Sequence, residues 1–415
     1  MCGHSQISWL DFARVAMHMA STRNMLALPE FDIQSITMIK ATQFALLHRG
    51  ERPLFPGPGE ALSLLMRHRF STSTDPRDQL FGLYGLLEHD FQALGLHVDY
   101  TARVVDIYRE FARAVLTSSK SLDLFTIPRL SGTRGPQVNG LPSWVPDWTE
   151  SSQICSLLDL EGGTGGPQFR ASMNSCHSPR FDGSGSRCMI EGYSVDTIVS
   201  TTYVKVLKEY GLVTQDYNNS LDEVLDASRS LMLAMAEAWH SIDEVAQTHK
   251  TKRTPSGKLN TDVLCKTLVG GNLADEWAKI KNSFYDMRHK LYTCERLLKR
   301  GWNFTSRWTL FTVNIIALFA NLSKGIIGTM DPPGAFGRYN KSPGRHVFRT
   351  EAGHIGLGPP LTQVGDQIFL CKGGKLPLVL RKAGEHWDLI GDCYVHGMVQ
   401  GELWDEGRCE QLWLV

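Results

Sequence analysis

The sequence predicts an α+β chain, with mainly helical N-terminal and middle regions and a small C-terminal β-sheet or barrel. Three observations carry this. Apolar residues recur at helical spacing in the first 150 residues, as in Val105, Tyr108, Phe111, Ala112 and Val115. Two more helix-like stretches fill much of residues 221–300. Beyond about residue 345 the period turns strand-like: VGDQIFLCKGGKLPLVLRKAGEHWDLIGDCYVHG holds three apolar runs separated by turns.

In chain order, the first helix opens near Ser8, a capping residue, with Asp11 in the first turn and Leu10, Val15, Met17 and Met19 as apolar surface. A second runs from about Phe31 to His48. The Pro/Gly break RPLFPGPGE precedes a third, through Leu62, Leu65 and Met66. In STSTDPRDQLFGLYGLL, Asp75 is placed to cap, Pro76 fits the first helical position and Asp78 complements the positive helix end. Leu80, Phe81, Leu83, Tyr84 and Leu87 then form one apolar face. LHVDY reads as a strand and Val104–Ser118 as a helix.

LPSWVPDW, residues 141–148, cannot be helical, because Pro142 and Pro146 fix the backbone and remove donors. It reads as a stiff extended segment wedging two indoles into neighbouring surfaces. Residues 161–187 turn to Gly, Ser and Pro and read as a linker. CMIEGYSVDTIVS alternates as a strand or strand pair. Helices over about Leu221–Thr248 and Asp262–Arg300 follow, the second opening after Gly270-Gly271. Gly373-Gly374 suits a tight hairpin, Ala383-Gly384-Glu385 the next turn, and the strand at His346–Thr350 is placed to close the sheet. The resulting division is 1–150 helical, 151–187 linker, 188–305 strand plus helices, and 306–415 an apolar segment with a small β domain.

Composition narrows the function classes. The 415 residues are 42% hydrophobic and 21% charged, enough to bury a sizeable core. Lys plus Arg equals Asp plus Glu at 43 each, which argues against nucleic acid as a partner. The richest basic stretch, His249–Lys258, reads as a solvated loop. Nine cysteines lie scattered without a C-x-x-C pair, as expected for reduced thiols in the cytoplasm. Cys176-His177 near Cys188 lacks a convincing fourth ligand, so no metal is expected. The N-terminus, without a basic region leading into a continuous apolar core, does not read as a signal peptide. Trp308–Leu322, short and broken by Asn314 and Asn321, reads as buried protein, and no membrane partner is expected.

DPRDQLFGLYGLL, then Val98-Asp99-Tyr100, a helix with Asp106-Ile107-Tyr108, and LPSWVPDW stand in the order that resembles fungal heterokaryon-incompatibility (HET-type) proteins, in the region after their conserved core. FRTEAGHIGLGPPLTQVGDQIFLCKGGKLPLVLR and LIGDCYVHGMVQGE resemble the C-terminal signature of the same proteins. The resemblance covers roughly residues 8–150 and 345–405. It implies structural signature roles for Asp75, Pro76, Arg77, Asp78, Leu141, Pro142, Trp144, Pro146, Asp147 and Trp148. The same holds for Gly365, Asp366, Arg381, Gly391, Asp392, Tyr394, His396, Gly397, Gly401 and Glu402. The family's Ser-Tyr-x-Trp-Gly and Trp-x-Asp-Ala-x-Cys-Ile-Asn-Gln blocks do not occur, so the chain reads as N-terminally truncated. The resemblance implies self/non-self recognition and programmed cell death through other proteins, an incompatibility partner or a full-length relative. The alternatives are a TIR-like nucleotide-cleaving enzyme whose catalytic part is missing here, and a non-toxic decoy binding full-length relatives.

No catalytic residue and no cofactor are expected. The chain has no G-x-S-x-G elbow, HExxH, Walker loop or complete G-x-G-x-x-G fingerprint. Gly162–Gly166 ends in Pro167 and reads as loop. Gly270-Gly271-Asn272 before a helix reads as a cap more than an anion site. Asp75, Arg77 and Asp78 suit an ion pair better than an acid/base set, because the Arg lowers carboxylate pKa values. Trp144 and Trp148 read as packing wedges before ligand stackers. Among Asp392, Cys393, His396 and Glu402, a thiol near a base is conceivable. Strand alternation, however, sets Cys393 and His396 on opposite faces.

Overall fold

The computed structural model describes residues 73–129, 138–150, 169–205, 221–248, 253–255, 257–271, 276–300 and 340–415, with isolated positions at 62, 65, 66, 68, 69, 71, 154, 157 and 158. The helices expected from Ser8 and from Phe31, the RPLFPGPGE break, the Gly162–Pro167 loop and Trp308–Leu322 lie outside the described residues.

Helix α1 (Asp78–Phe81) and helix α2 (Tyr84–Ala93) replace the single helix expected after DPRD. Gly82 and Gly85 weaken a helix interior, and Leu87 is itself non-helical. The expected LHVDY strand is irregular, with Val98 and Tyr100 exposed and no ladder partner. Helix α3 (Val104–Ser119) matches its expected span and buries Ile107, Tyr108, Phe111, Ala112, Val115 and Leu116 along one stripe.

The strands are β1 (Arg180–Phe181), β2 (Cys188–Tyr203), β3 (His346–Thr350), β4 (Ile355–Gly358), β5 (Gln367–Cys371), β6 (Leu378–Ala383), β7 (His386–Asp392), β8 (Tyr394–Val395) and β9 (Glu410–Leu414). β5, β6 and β7 form an antiparallel meander, and β7 meets β9 in parallel at the single pair Trp387–Leu414. β9 and β5 both pair antiparallel with β2, which closes a five-stranded barrel. Closure crowds Gly192, which pairs with both neighbours. A Cβ there would stand 2.6 Å from the Leu370 carbonyl and 2.7 Å from Cys371 Sγ, so only glycine fits.

Two expectations change here. The strand at His346–Thr350 does not close the barrel. It pairs with residues 198–203 of β2 and leads through β4 to β8 in a second sheet. The closing wall is β2, which sequence grouping placed with the helical middle. Sixteen residues long, β2 passes two register shifts, at 194/196 and 198/200, and so serves both sheets. The turn expected at Ala383-Gly384-Glu385 is tighter, with Ala383 already paired to His386 and only Gly384 (φ +61°) and Glu385 between them. The Gly373-Gly374 connection is longer than a tight hairpin, spanning residues 372–377. Gly373 (φ +74°) turns the chain there, and Gly374 N–H donates to the Cys371 carbonyl at 2.9 Å.

Helices α4 (Leu221–Ala246), α5 (Asn260–Leu268) and α6 (Trp277–Lys299) cover β3 and β4, burying Ile242, Leu264 and Phe284 against Val347, Ile355 and Leu357. The expected Asp262–Arg300 helix is therefore two, broken where Gly270 and Gly271 take φ values of +66° and +134°. A separate cluster fills the barrel from all five strands (Cys188, Ile190, Phe369, Leu380, Leu389 and Leu412 among them) and continues into the core of α1–α3. Residues 169–187 are no free linker. Ala171 and Ser172 N–H groups donate to the Lys375 and Gly374 carbonyls, and Phe169, Ala171 and His177 are buried.

Candidate functional site

The residues singled out from the sequence gather in three places. The first is a polar knot beside α1. Asp75 does not cap the helix from the expected position, since α1 begins at Asp78 with Arg77 as its flanking residue. Asp75 Oδ1 instead accepts the Arg77 backbone N–H at 2.9 Å, and its carboxylate holds the Arg77 guanidinium at 2.8 Å. These hydrogen bonds keep Asp75 below the usual carboxylate range and raise Arg77. Arg77 Nη1 reaches on to the carbonyls of Tyr100 and Ala102. Tyr100 Oη donates to Asp78 Oδ1 at 2.5 Å, and Tyr108 Oη to the Pro76 carbonyl at 2.6 Å. DPRD, the Asp-Tyr step and the Asp-Ile-Tyr helix are thus one hydrogen-bonded unit.

The second place is the barrel seam. Between β7 and β9 there is only one ladder pair, and LPSWVPDW lies along that gap. Ser143 N–H donates to the Val415 carbonyl at 2.7 Å, while Ser143 Oγ accepts the Leu389 N–H at 2.9 Å. Arg129 Nη1, whose pKa burial lowers, donates to the Ser143 carbonyl at 2.7 Å and the Leu389 carbonyl at 3.4 Å. The indoles drive into both neighbours. Trp144, 1% exposed, lies 5.5 Å from the Phe181 ring and donates to the Ser186 carbonyl; Trp148 meets Phe111 edge-on at 5.8 Å. Leu141 packs on the same core, and Pro142 accepts the Val145 N–H. Pro146 lines a small space under the segment with Leu389 and Gly391. Buried Asp147 accepts Val138 N–H at 3.0 Å and both Thr149 donors. Packed on this face, Arg69 donates to the Pro128 and Glu150 carbonyls, and burial lowers its pKa to about 10.

The third place is the C-terminal signature. Arg381 grips Asp366 with two nitrogens, at 2.7 and 3.0 Å, and donates to the Leu361 carbonyl. Gly365 precedes it at φ +94°. Arg345 and Asp392 form an ion pair at 3.0 Å with both side chains 0% exposed; burial pushes the Asp392 carboxyl up and the guanidinium opposes it. Gly391 takes φ +143° against Pro359 at a bulge in β7. Gly397 and Gly401 turn the chain at φ +91° and +82°, Gly401 against Met173, and Glu402 accepts the Gln400 N–H.

The possible thiol–base pair does not assemble. Cys393 is buried, directs its Sγ to the Pro377 carbonyl at 3.5 Å, and is held far above the usual thiol pKa by burial. His396 sits between Tyr394 Oη at 3.3 Å and Lys258 Nζ at 3.1 Å, and burial with Lys258 lowers its pKa to about 4. A neutral imidazole accepting from Lys258 fits that geometry. Cys176 is exposed while Cys188 is buried with its thiol pushed up to about 12. No group of three metal-ligating side chains occurs among the described residues. Asn272 lies outside them. Nor is any helix among the described residues long and apolar enough to cross a membrane.

Arg69, Arg129, Ser143 and Arg345 were not singled out from the sequence. Arg345 stands three residues before the FRTEAGH block, and Ser143 lies inside LPSWVPDW, so position beside a signature was the available signal.

Residues 333–415 match the Het-6 beta-barrel domain family. Across the whole chain, the sequence is 24% identical over 453 aligned positions to heterokaryon incompatibility protein 6, OR allele, of Neurospora crassa. That alignment covers 100% of this chain and 63% of the relative, so the chain spans less than two thirds of the protein it matches. Both matches bear out the resemblance to HET-type fungal proteins. No solved structure matches the chain.

Proposed function

We propose that the chain takes part in heterokaryon incompatibility, in self/non-self recognition that leads to programmed cell death in a filamentous fungus. It acts in the cytoplasm through contacts with other proteins and without catalysis. The observation that carries this reading is the Het-6 barrel match over residues 333–415, a stretch that also holds the Arg381–Asp366 and Arg345–Asp392 ion pairs. The name of the relative supplies the process. The non-catalytic part is supported by the burial of Cys393 and by the Lys258 contact that occupies His396.

Strains of a filamentous ascomycete expressing the chain, fused with strains of differing compatibility and counted for dead hyphal compartments, give death in some pairings and not in self-pairings. Normal growth of every fusion at high protein level removes the reading. Purified protein incubated with NAD leaves it intact; turnover would replace contact-driven action with nucleotide cleavage.

A further inference from the structure

Where the end of α2, the outer face of α3 and β1 meet, the surface opens into a groove of about 600 Å³. Leu94, Leu96 and Phe181 give it apolar floor and wall, and the stripe of α3 that borders it carries Asp106, Arg109, Glu110 and Arg113. These four stand at i, i+3, i+4 and i+7, so they share one helix face. Their charges read minus, plus, minus, plus. Asp106 already holds Arg103 and Arg109, at 2.7 and 2.6 Å. Glu110 and Arg113 have no ion-pair partner among the described residues, and the Arg113 guanidinium lies over the Phe181 ring at 4.9 Å.

We propose that this face docks on the same face of a second copy of the chain, about a two-fold axis passing between residues 109 and 110. Turned end for end, the charge order is complementary to itself. Asp106 meets Arg113 of the second copy, Arg109 meets its Glu110, and the axis repeats both pairs. An isologous contact requires such a self-complementary patch. A uniformly acidic or basic peptide would satisfy only half of these charges and repel the rest. The shape agrees, since the α3 ridge lies beside a groove that can receive the ridge of the other copy. Half-buried Leu94 and Phe181 flank the charged stripe and add apolar contact at its sides, and the charges fix register more than affinity. The contact is independent of the recognition reading, and its test reads mass, not fungal growth.

The experiment is sedimentation equilibrium of the full chain up to about 200 μM, the range in which a small, weak interface is populated. The expected result is a mass rising from one copy toward two, with the association weakened by added salt. Glu110→Lys and Arg109→Glu each place like charges across the axis and weaken self-association about tenfold or more. Mixed together, the two variants restore wild-type association, because each supplies the charge that the other lost. That rescue distinguishes the contact from a folding defect. A mass of one copy throughout overturns the proposal. So does a dimer that neither variant weakens, or two weakened variants that fail to pair.

Discussion

Two carboxylate–arginine pairs anchor the two signature regions, and they obey different physics. Asp75 and Arg77, at 2.8 Å, sit in a half-exposed knot on the helical side. Arg345 and Asp392, at 3.0 Å, are wholly enclosed between the barrel and the second sheet. In sequence both are a single Asp and Arg, and their lengths nearly agree. What separates them is water. At the knot, solvent screens the charges and replaces either partner when it is lost. In the interior, each charge has surrendered its hydration, so each depends on the other and removing one strands the other.

The largest expected effect follows directly. Arg345→Met or Asp392→Leu alone destabilises the chain by about 3–5 kcal/mol, measured by urea denaturation, because an uncompensated buried charge remains. The double variant, with both charges gone and comparable volume kept, recovers most of that loss. Equal losses in the double and the singles would mean that packing, not charge, sets the cost.

Next comes acidification. Burial lowers His177 to about 4, while the unfolded chain titrates near the ordinary histidine value. As pH falls from about 6.5 to 4 the unfolded state takes up a proton that the folded state refuses. Stability therefore declines through that window, by up to about 3 kcal/mol for this one group. His396, lowered to about 4 by burial and Lys258, acts in the same direction. Melting temperatures from pH 7 to 4 check this, and His177→Gln should flatten part of the slope. An unchanged slope would show that His177 is protonated in place or that solvent reaches it.

A smaller effect belongs to the seam. Ser143→Ala leaves the buried Leu389 N–H without its acceptor while the Ser143 backbone bonds remain, at a cost of about 1–3 kcal/mol. Hydrogen exchange at Leu389 should quicken more than at Leu380 of β6. Uniform change across the barrel would place the effect elsewhere.

Local patterning and distant pairing were unequally legible in the sequence. The α3 stripe, the non-helical LPSWVPDW segment and the Gly384-Glu385 turn follow from period and backbone chemistry within a few residues. The barrel wall was not legible, because β2 alternates like any strand and nothing within it names β5 and β9 as partners 170 to 226 positions away. Gly192 was the only local trace, a glycine inside a strand that marks close backbone approach. Arg345 escaped for the same reason. Burial is a property of the assembled sheets, and an arginine after Pro-Gly reads as surface.

The smallest expected effect lies at the exposed knot. Asp75→Asn keeps an oxygen that can accept the Arg77 N–H and removes only the charge, and Tyr100→Phe removes the hydroxyl bonded to Asp78. Water can take over both lost interactions, and Arg77 retains the Tyr100 and Ala102 carbonyls. Neither variant should shift the melting midpoint resolvably at physiological salt, whereas Asp392→Asn should shift it by many degrees. A clear loss from Asp75→Asn that disappears in high salt would mean that the Asp75–Arg77 charges act on a larger field than their own contact. A loss that persists in salt would mean that the knot is drier than its exposure implies, and the two pairs would then differ in degree and not in kind.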